Sequence, residues 1–346
     1  MPFSATELQA VGLSSLDHYQ RNKPIDQVGY ERPFLRRMMK GKRAFPGGKE
    51  SVVENLRYQY GSNLQWYYGD QLLTYNRRNT LKHAKFPWRS AHDGFSLHED
   101  DLFQNGIEID EGGKTNNHSE AELLRLVNLM DEQTEVMREG FEEKFELELL
   151  RDGTQDANAL EGLDALLATD PSSGTVGGID RATYGWWRNN AVTGIAGTNL
   201  IDTMEKIWRQ CCRVGGGRPD FIAVGSKFLD EYRIQSKGEV QVQKNQGGNG
   251  TDLDPSVSGL YFKGVPLVWI PAFEELDNLD APAIEWEKRC YFINSKRMRL
   301  RPAQGYDMKT RTPPRVYDRY AYYWGLQWKG ALCMSQSNAH AVMSIA

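Results

Sequence analysis

Hydrophobic positions are most regular between residues 119 and 152. Leu123, Leu126, Val127, Met130, Met137, Phe141, Phe145 and Leu149 recur mainly at three- and four-residue steps, interrupted at Thr134. That is the spacing of one helical face. Ser119 and Glu122 form a capping box ahead of the run, and Asp152-Gly153 supplies a stop. The pattern predicts one helix of about thirty residues, roughly 45 Å long at 1.5 Å per residue. A second stripe, Leu200, Ile201, Met204, Ile207, Trp208 and Cys211, predicts a shorter amphipathic helix ended by Gly215-Gly216-Gly217.

Much of the rest reads as strand. Asp220–Gly225 is a buried strand, Ser226 caps a short helix through Tyr232, and Leu260–Ile270 offers two strands around Lys263-Gly264. Cys290–Asn294 is apolar. From Arg297 to Arg301 three arginines alternate with Met298 and Leu300, which places all three on one sheet face. Tyr317–Met334 is a long aromatic-rich run with Gly325 and Gly330 as breaks. Residues 51–113 are rich in Tyr, Trp and Asn, and Leu64–Tyr68 and Leu72–Tyr75 suit strands of a projecting hairpin with no core of its own. Residues 1–50, broken by Pro24, Pro33 and Pro46, read as an extended arm ordered against a neighbour. Phe34, Leu35, Met38 and Met39 are too apolar for a solvated tail. The class is α+β. Without a regular βαβ rhythm, a doubly wound nucleotide fold is not expected.

Charge changes the picture locally. The formal net charge is −4. Basic residues crowd Arg21–Lys49 and Lys288–Arg319, while carboxylates dominate Ser119–Arg151. Such segregation implies faces with different partners. Arg36, Arg37, Lys40, Lys42, Arg43, Arg297, Arg299 and Arg301 are candidates for contact with DNA phosphates or with a neighbouring subunit. No helix-turn-helix, zinc-finger or RNA-recognition pattern accompanies them, so base-specific reading is not expected. Cys211, Cys212, Cys290 and Cys333 show no Cys-x-x-Cys spacing and are expected to be reduced thiols. The first residues resemble no secretory leader and no apolar run approaches spanning length, so a soluble intracellular chain without membrane contact is expected.

Candidate chemistry is sparse. The stretch GTVGGIDRATYGWWRN, residues 174–189, is Gly-rich but lacks the Lys and the preceding strand of a phosphate-binding loop. Its glycines are expected to shape the chain, with Asp180 and Arg181 pairing locally or with a neighbour and Trp186 and Trp187 supplying buried area. The six histidines form no zinc spacing, and His98-Glu99-Asp100-Asp101 lacks the spaced oxygens of a calcium loop. No cofactor, metal site or catalytic constellation is expected. Carboxylates are plentiful, so an acidic-residue hydrolase or nuclease stays open as a rival.

The order arm, hairpin, long helix, α/β middle and terminal strands resembles that of major capsid proteins of tailed bacteriophages, the Hong Kong 97-type capsid fold. Glu161–Leu167, Gly177–Tyr184 and Trp187–Asn189 are similar to the segment after the long helix in one branch of these proteins. Trp328–Ile345 resembles their final strands. The resemblance implies an N-terminal arm over 1–50, an extended loop over 51–113, and a peripheral domain with the spine helix over 114–154. It further implies an axial domain over 155–285, with 286–346 supplying the peripheral sheet and C-terminus. It implies no catalysis, and assembly into hexamers and pentamers of an icosahedral shell in a virion, built in the host bacterial cytoplasm around double-stranded DNA. The partners implied are the chain itself, a separate scaffolding protein, a portal, and a decoration or cement protein. Lys82 and Lys85 lie where some relatives crosslink, but no partner asparagine can be matched. An encapsulin-like compartment shell is the nearest alternative.

Overall fold

The computed structural model describes residues 29–48, 50–98, 100, 120–213, 217–238, 260–279, 284–312 and 321–346, with the backbone alone for 120–130 and 237–238. The described residues begin with helix α1 (Pro33–Lys40) and strands β1 (Ser51–Arg57), β2 (Leu81–Pro87) and β3 (Arg89–His98). The long helix α2 (Glu120–Leu150), a single turn α3 (Leu163–Leu166) and the ribbon β4 (Thr175–Val176) and β5 (Ile179–Asp180) follow. The middle contains β6 (Asn190–Ile195), α4 (Leu200–Arg213), β7 (Phe221–Val224), α5 (Ser226–Gly238), β8 (Tyr261–Phe262), β9 (Val265–Trp269) and α6 (Ala272–Leu279). The last strands are β10 (Arg289–Ile293), β11 (Met298–Pro302), β12 (Lys309–Arg311), β13 (Ala321–Met334) and β14 (Ala341–Ile345).

Helix α2 runs 31 residues, about 46 Å at 1.5 Å per residue. Met137, Phe141, Phe145 and Leu149 are buried along it. Ser119, and the side chains of Leu123, Leu126, Val127 and Met130, lie outside the described residues. The stripe packs on a four-stranded sheet in which β13 pairs with β3 on one side and with β11 and β12 on the other. The ring of Phe145 lies 4.6 Å from that of Trp328. Strand side chains alternate, so Trp324, Trp328 and Leu332 share the helix face. By register Arg299, Arg301, Lys309, Arg311, Gln327 and Lys329 occupy the opposite face.

A second core lies around a six-stranded sheet ordered β6-β14-β10-β7-β9-β8. Leu200, Met204, Ile207 and Trp208 of α4 and Phe228 and Tyr232 of α5 pack on one side with Phe262 and Phe292. On the other side the rings of Phe273, Trp286 and Tyr291 cluster within 5.6 to 6.4 Å.

Several sequence expectations are corrected. Strands β10 and β14 join the six-stranded sheet with β7 and β9, so residues 286–346 are shared between two sheets. Their near-continuous apolar runs suit a strand covered on both faces. Strand β3 leaves the hairpin and pairs with β13 along ten residues, Arg89↔Gly330 to His98↔Ala321. Gly325 and Gly330 do not break β13. A Cβ on Gly325 would meet the His92 ring at 2.7 Å, and one on Gly330 the Trp328 ring at 2.6 Å, so these glycines let rings lie flat on the sheet. Arg297 precedes β11, leaving Arg299 and Arg301 as the pair on one face. Helix α5 continues past Tyr232 to Gly238.

The arm is also not wholly extended. Pro33 opens α1 with the preset backbone angle that suits a first helical turn. Phe34, Leu35 and Met38 fall on one face of α1 and are buried. The Phe34 ring reaches that of Phe221, at 6.4 Å.

Candidate assembly surface

The hairpin begins as a regular ladder, β1 against β2 from Ser51↔Pro87 to Arg57↔Leu81. Val52, Leu56, Ala84 and Phe86 are buried at its base. Beyond Arg57 the ladder stops after one further bond, the Tyr58 amide to the Thr80 carbonyl at 3.1 Å. The expected strands at 64–68 and 72–75 are absent. Side-chain amides tie the two limbs instead. Gln59 Nε2 donates to the Asn79 carbonyl at 2.9 Å, and Gln65 Oε1 accepts the Thr74 amide at 3.1 Å. Such bridges hold two chains apart by a side chain's width, which a backbone ladder does not allow.

Beyond that point the hairpin exposes its large apolar side chains. Trp66 is 93% and Leu72 99% accessible, and Tyr60, Leu64, Tyr68 and Tyr75 are nearly as open. These groups gain nothing from the chain's own fold. Exposed apolar side chains concentrated in one element make it a candidate for contact with another molecule.

The Gly-rich stretch forms the seat of this hairpin. Gly174, Gly177 and Gly178 all have positive φ, at 93°, 60° and 74°, a region that costs other residues energy. A Cβ on Gly177 would sit 3.1 Å from both Ala84 and Phe86, and the Gly177 carbonyl accepts the Lys85 amide at 2.8 Å. Asp180 caps the following turn. The Thr183 hydroxyl, with the Ala182 and Thr183 amides, holds its carboxyl below the usual range. Arg181 is buried and donates to the Leu166 carbonyl; burial pulls its guanidinium down to about 10. Trp187 is buried, with its indole N–H on the Val176 carbonyl at 3.0 Å. Trp186 is only half-buried and stacks on Tyr58 at 5.7 Å, while Lys82 Nζ stands 3.3 Å over the Tyr184 ring. The loop is built from local bonds and carries the hairpin.

Several of the basic candidates are satisfied inside the chain. Arg37 pairs with Asp220 at 2.7 Å, Lys42 with Asp307, and Arg301 with Glu54 of β1. Burial works against the Asp220 carboxylate. The Ser295 hydroxyl and amide and Arg37 outweigh it, so the group stays below its usual range. Arg36, Lys40 and Arg43 are exposed and form no ion pair among the described residues. Sequence reasoning missed Arg32, which bridges Glu139 at 2.6 Å and Glu142 at 3.4 Å on α2. It also missed Glu146, fully buried beneath the start of α1, whose carboxyl burial pushes up to about 8. The Phe34 and Leu35 amides, Arg32 and Arg36 partly offset that rise. The four cysteines are free. Among the described residues no group of three His, Cys, Asp or Glu side chains could hold a metal ion, and no helix is long and apolar enough to cross a membrane.

No family model matches the chain, and no curated protein matches it in sequence. Solved structures do match. A chain of the cyanophage A-1(L) capsid asymmetric unit aligns with TM-score 0.57 at 15% identity, over 93% of this chain and 96% of that one. The capsid of Myoviridae phage XM1 gives 0.52 at 13%, over 94% and 96%. The holo-SrpI encapsulin complex from Synechococcus elongatus PCC 7942 gives 0.51 at 13%, over 99% and 96%. Nearly the whole chain, its hairpin, long helix and two sheets in order, therefore has the α+β Hong Kong 97-type capsid fold.

Proposed function

We propose that this chain is a major capsid subunit of a tailed bacteriophage, assembling into hexamers and pentamers of a closed icosahedral shell around double-stranded DNA. The observation that carries the reading is the hairpin. Its apolar side chains are exposed in the isolated subunit, in a fold shared along more than nine-tenths of the chain with phage capsid chains. A surface with no core of its own becomes stable only when a neighbouring copy covers it, so its burial accompanies assembly.

In this reading residues 1–50 contain the arm, 51–113 the extended loop that overlaps a neighbour, and 114–154 the spine-helix part of the peripheral domain. Residues 155–285 form the axial domain together with β10 and β14, while β11, β12 and β13 complete the peripheral sheet. Contacts inside the chain refine the proposal: α1 and Lys42 belong to the subunit's own body, so any crossing arm precedes Arg32. A separate scaffolding protein, a portal and a decoration protein are the partners, the virion is the destination, and assembly takes place in the host cytoplasm. The role is structural and requires no catalysis.

An encapsulin-like compartment is the second reading, favoured by the match to the SrpI encapsulin complex over 99% of this chain. Size-exclusion chromatography with negative-stain electron microscopy, with and without a candidate scaffold, tests both. Closed shells, tubes or capsomer rings are expected. Co-purifying cargo protein in place of DNA packaging would move the assignment to the compartment. A monomer under every condition, with hydrolytic activity lost on changing one carboxylate, would overturn both readings.

A further inference from the structure

Helix α1 closes over a buried carboxyl group, and backbone bonds fasten the chain just past its end. Glu146 of α2 is fully buried, and neither of its oxygens meets a donor at hydrogen-bond geometry among the described residues. The Phe34 and Leu35 amides and the Arg32 and Arg36 guanidinium groups stand near enough to ease the cost of a charge there, but not to cancel it. Of the other charged groups around α1, Glu139, Glu142 and Glu143 face Arg32, and Asp220 faces Arg37. The flanking rings, Phe145 against Trp328 and Phe34 against Phe221, are apolar. Past α1 the chain is pinned to the four-stranded sheet. The Arg43 amide donates to the Leu300 carbonyl at 3.0 Å. The Phe45 amide donates to Pro302, and its carbonyl accepts the Gln304 amide, both at 2.9 Å. Lys42 pairs with Asp307. Gly41, which ends α1, is the last residue before these pins.

We propose that α1 is a proton-dependent clasp. It closes over Glu146 while that carboxyl carries its proton and swings open about Gly41 when the proton leaves, with both sheets intact. Closed, burial holds the carboxyl up at about 8; open, it meets water and titrates near the ordinary value of about 4.3. Between those values the closed form keeps a proton that the open form has released. Closing therefore weakens about tenfold per pH unit from about 4.3 to 8, and levels above. What holds the clasp shut is local. Phe34, Leu35 and Met38 are the buried residues of α1, whereas the core around α4 and α5 is built without them. The Arg37 pair with Asp220 is partly exposed and adds little. Eight residues are too few to hold a helix in water, so an open α1 also melts and its amides exchange. The device belongs to the single chain and does not rest on the capsid reading.

Amide hydrogen exchange of the full chain at pH 6 and pH 8, corrected for the intrinsic pH dependence of exchange, tests the clasp. The amides of Arg36–Gly41 are compared with those of Leu326–Leu332 in β13. In the wild type the α1 amides are expected to be far less protected than those of β13 at both pH values, because α1 opens alone. Their protection should fall roughly fiftyfold from pH 6 to pH 8. E146Q, which cannot ionise, should hold that protection constant, while E132Q, at an exposed position of the same helix, should fall like the wild type. Equal protection of α1 and β13 would mean that Glu146 reaches water only when the whole chain unfolds, and overturns the proposal. So does α1 protection that does not change with pH in the wild type, or that falls as steeply in E146Q. Should circular dichroism show E146Q unfolded, the wild-type comparison of the two segments at the two pH values decides the matter by itself.

Discussion

Glu146 is the residue whose environment departs furthest from what its neighbours in the sequence suggest. It sits in an acidic helix, where a carboxylate ordinarily faces water, yet α1 covers it completely. The covering residues precede it by more than a hundred positions, and no local pattern could announce them. Burial raises its pKa to about 8, against the partial opposition of the Phe34 and Leu35 amides, Arg32 and Arg36. The ordinary glutamate value is about 4.3. Between those two values the folded chain holds a proton that the unfolded chain has released, so stability falls as pH rises from about 4.3 to 8 and then levels. Glu146→Gln removes the ionisation and should stabilise the subunit at pH 8 by an amount on the order of 2 kcal/mol or more, with the gain vanishing near pH 4. Denaturant titrations of both proteins at the two pH values check this, and a pH-independent difference would contradict it. Gly177 is the contrasting case, because its role was legible. The cluster of glycines announced a backbone other residues resist, and φ is +60° with the hairpin base in contact. Gly177→Ala should cost about 1 to 3 kcal/mol of subunit stability; an unchanged denaturation midpoint would refute the close seat.

Helix α2 and the hairpin are the two elements on which the fold turns, and they were legible to different degrees. The helix could be read from apolar spacing alone, because a stripe that buries against one sheet must recur with the helical period. Phe141 and Phe145 stack at 5.4 Å on that stripe. Phe141→Asp would place an unpaired carboxylate in it, at a cost of several kcal/mol against a total stability of roughly 5 to 15. Loss of soluble, folded protein is the expected outcome, and normal particles from this variant would contradict the proposed role of α2 as the spine. The hairpin's existence was legible but its interior was not. Alternation and aromatics near turn residues read as strands, whereas Gln side-chain amides replace the ladder and the large apolar side chains stay exposed. Replacing Trp66, Leu72 and Tyr75 with Ser should therefore leave the melting temperature of the isolated subunit within about 2 °C, since exposed apolar groups contribute little to its own stability. The same variant should fail to close shells. Electron microscopy of a variant that melts normally yet assembles like the wild type would show that the exposed side chains are not the contact.

Across the whole subunit, the order of parts was visible in the sequence while their pairing was not. Strands β10 and β14 lie fifty residues apart yet flank each other, and the intervening β11, β12 and β13 build a different sheet. Which apolar run joins which sheet depends on what covers each face, and that is decided by distant helices. The ion pairs show the same limit. Arg32, Arg37 and Lys42 stand in one basic block that suggests a polyanion, but they fasten it to α2, to Asp220 beside β7 and to Asp307 before β12. The block thus clips separate regions of one subunit together. Its pairs with Asp220 and Asp307 are partly solvent-exposed, so each contributes only about 0 to 1 kcal/mol and is weakened by salt. Arg37→Gln with Lys42→Gln should lower the subunit's stability by about 1 kcal/mol in dilute buffer, with the difference shrinking toward zero at 1 M salt. A phosphate-binding role for the same residues predicts another result. The double variant would then be as stable as the wild type at all salt concentrations, while the salt slope of its duplex affinity would flatten by about 2, as for two phosphates left unneutralised. Denaturation and duplex titration on one preparation separate the two, because pairing within the subunit moves only the first readout and DNA contact only the second.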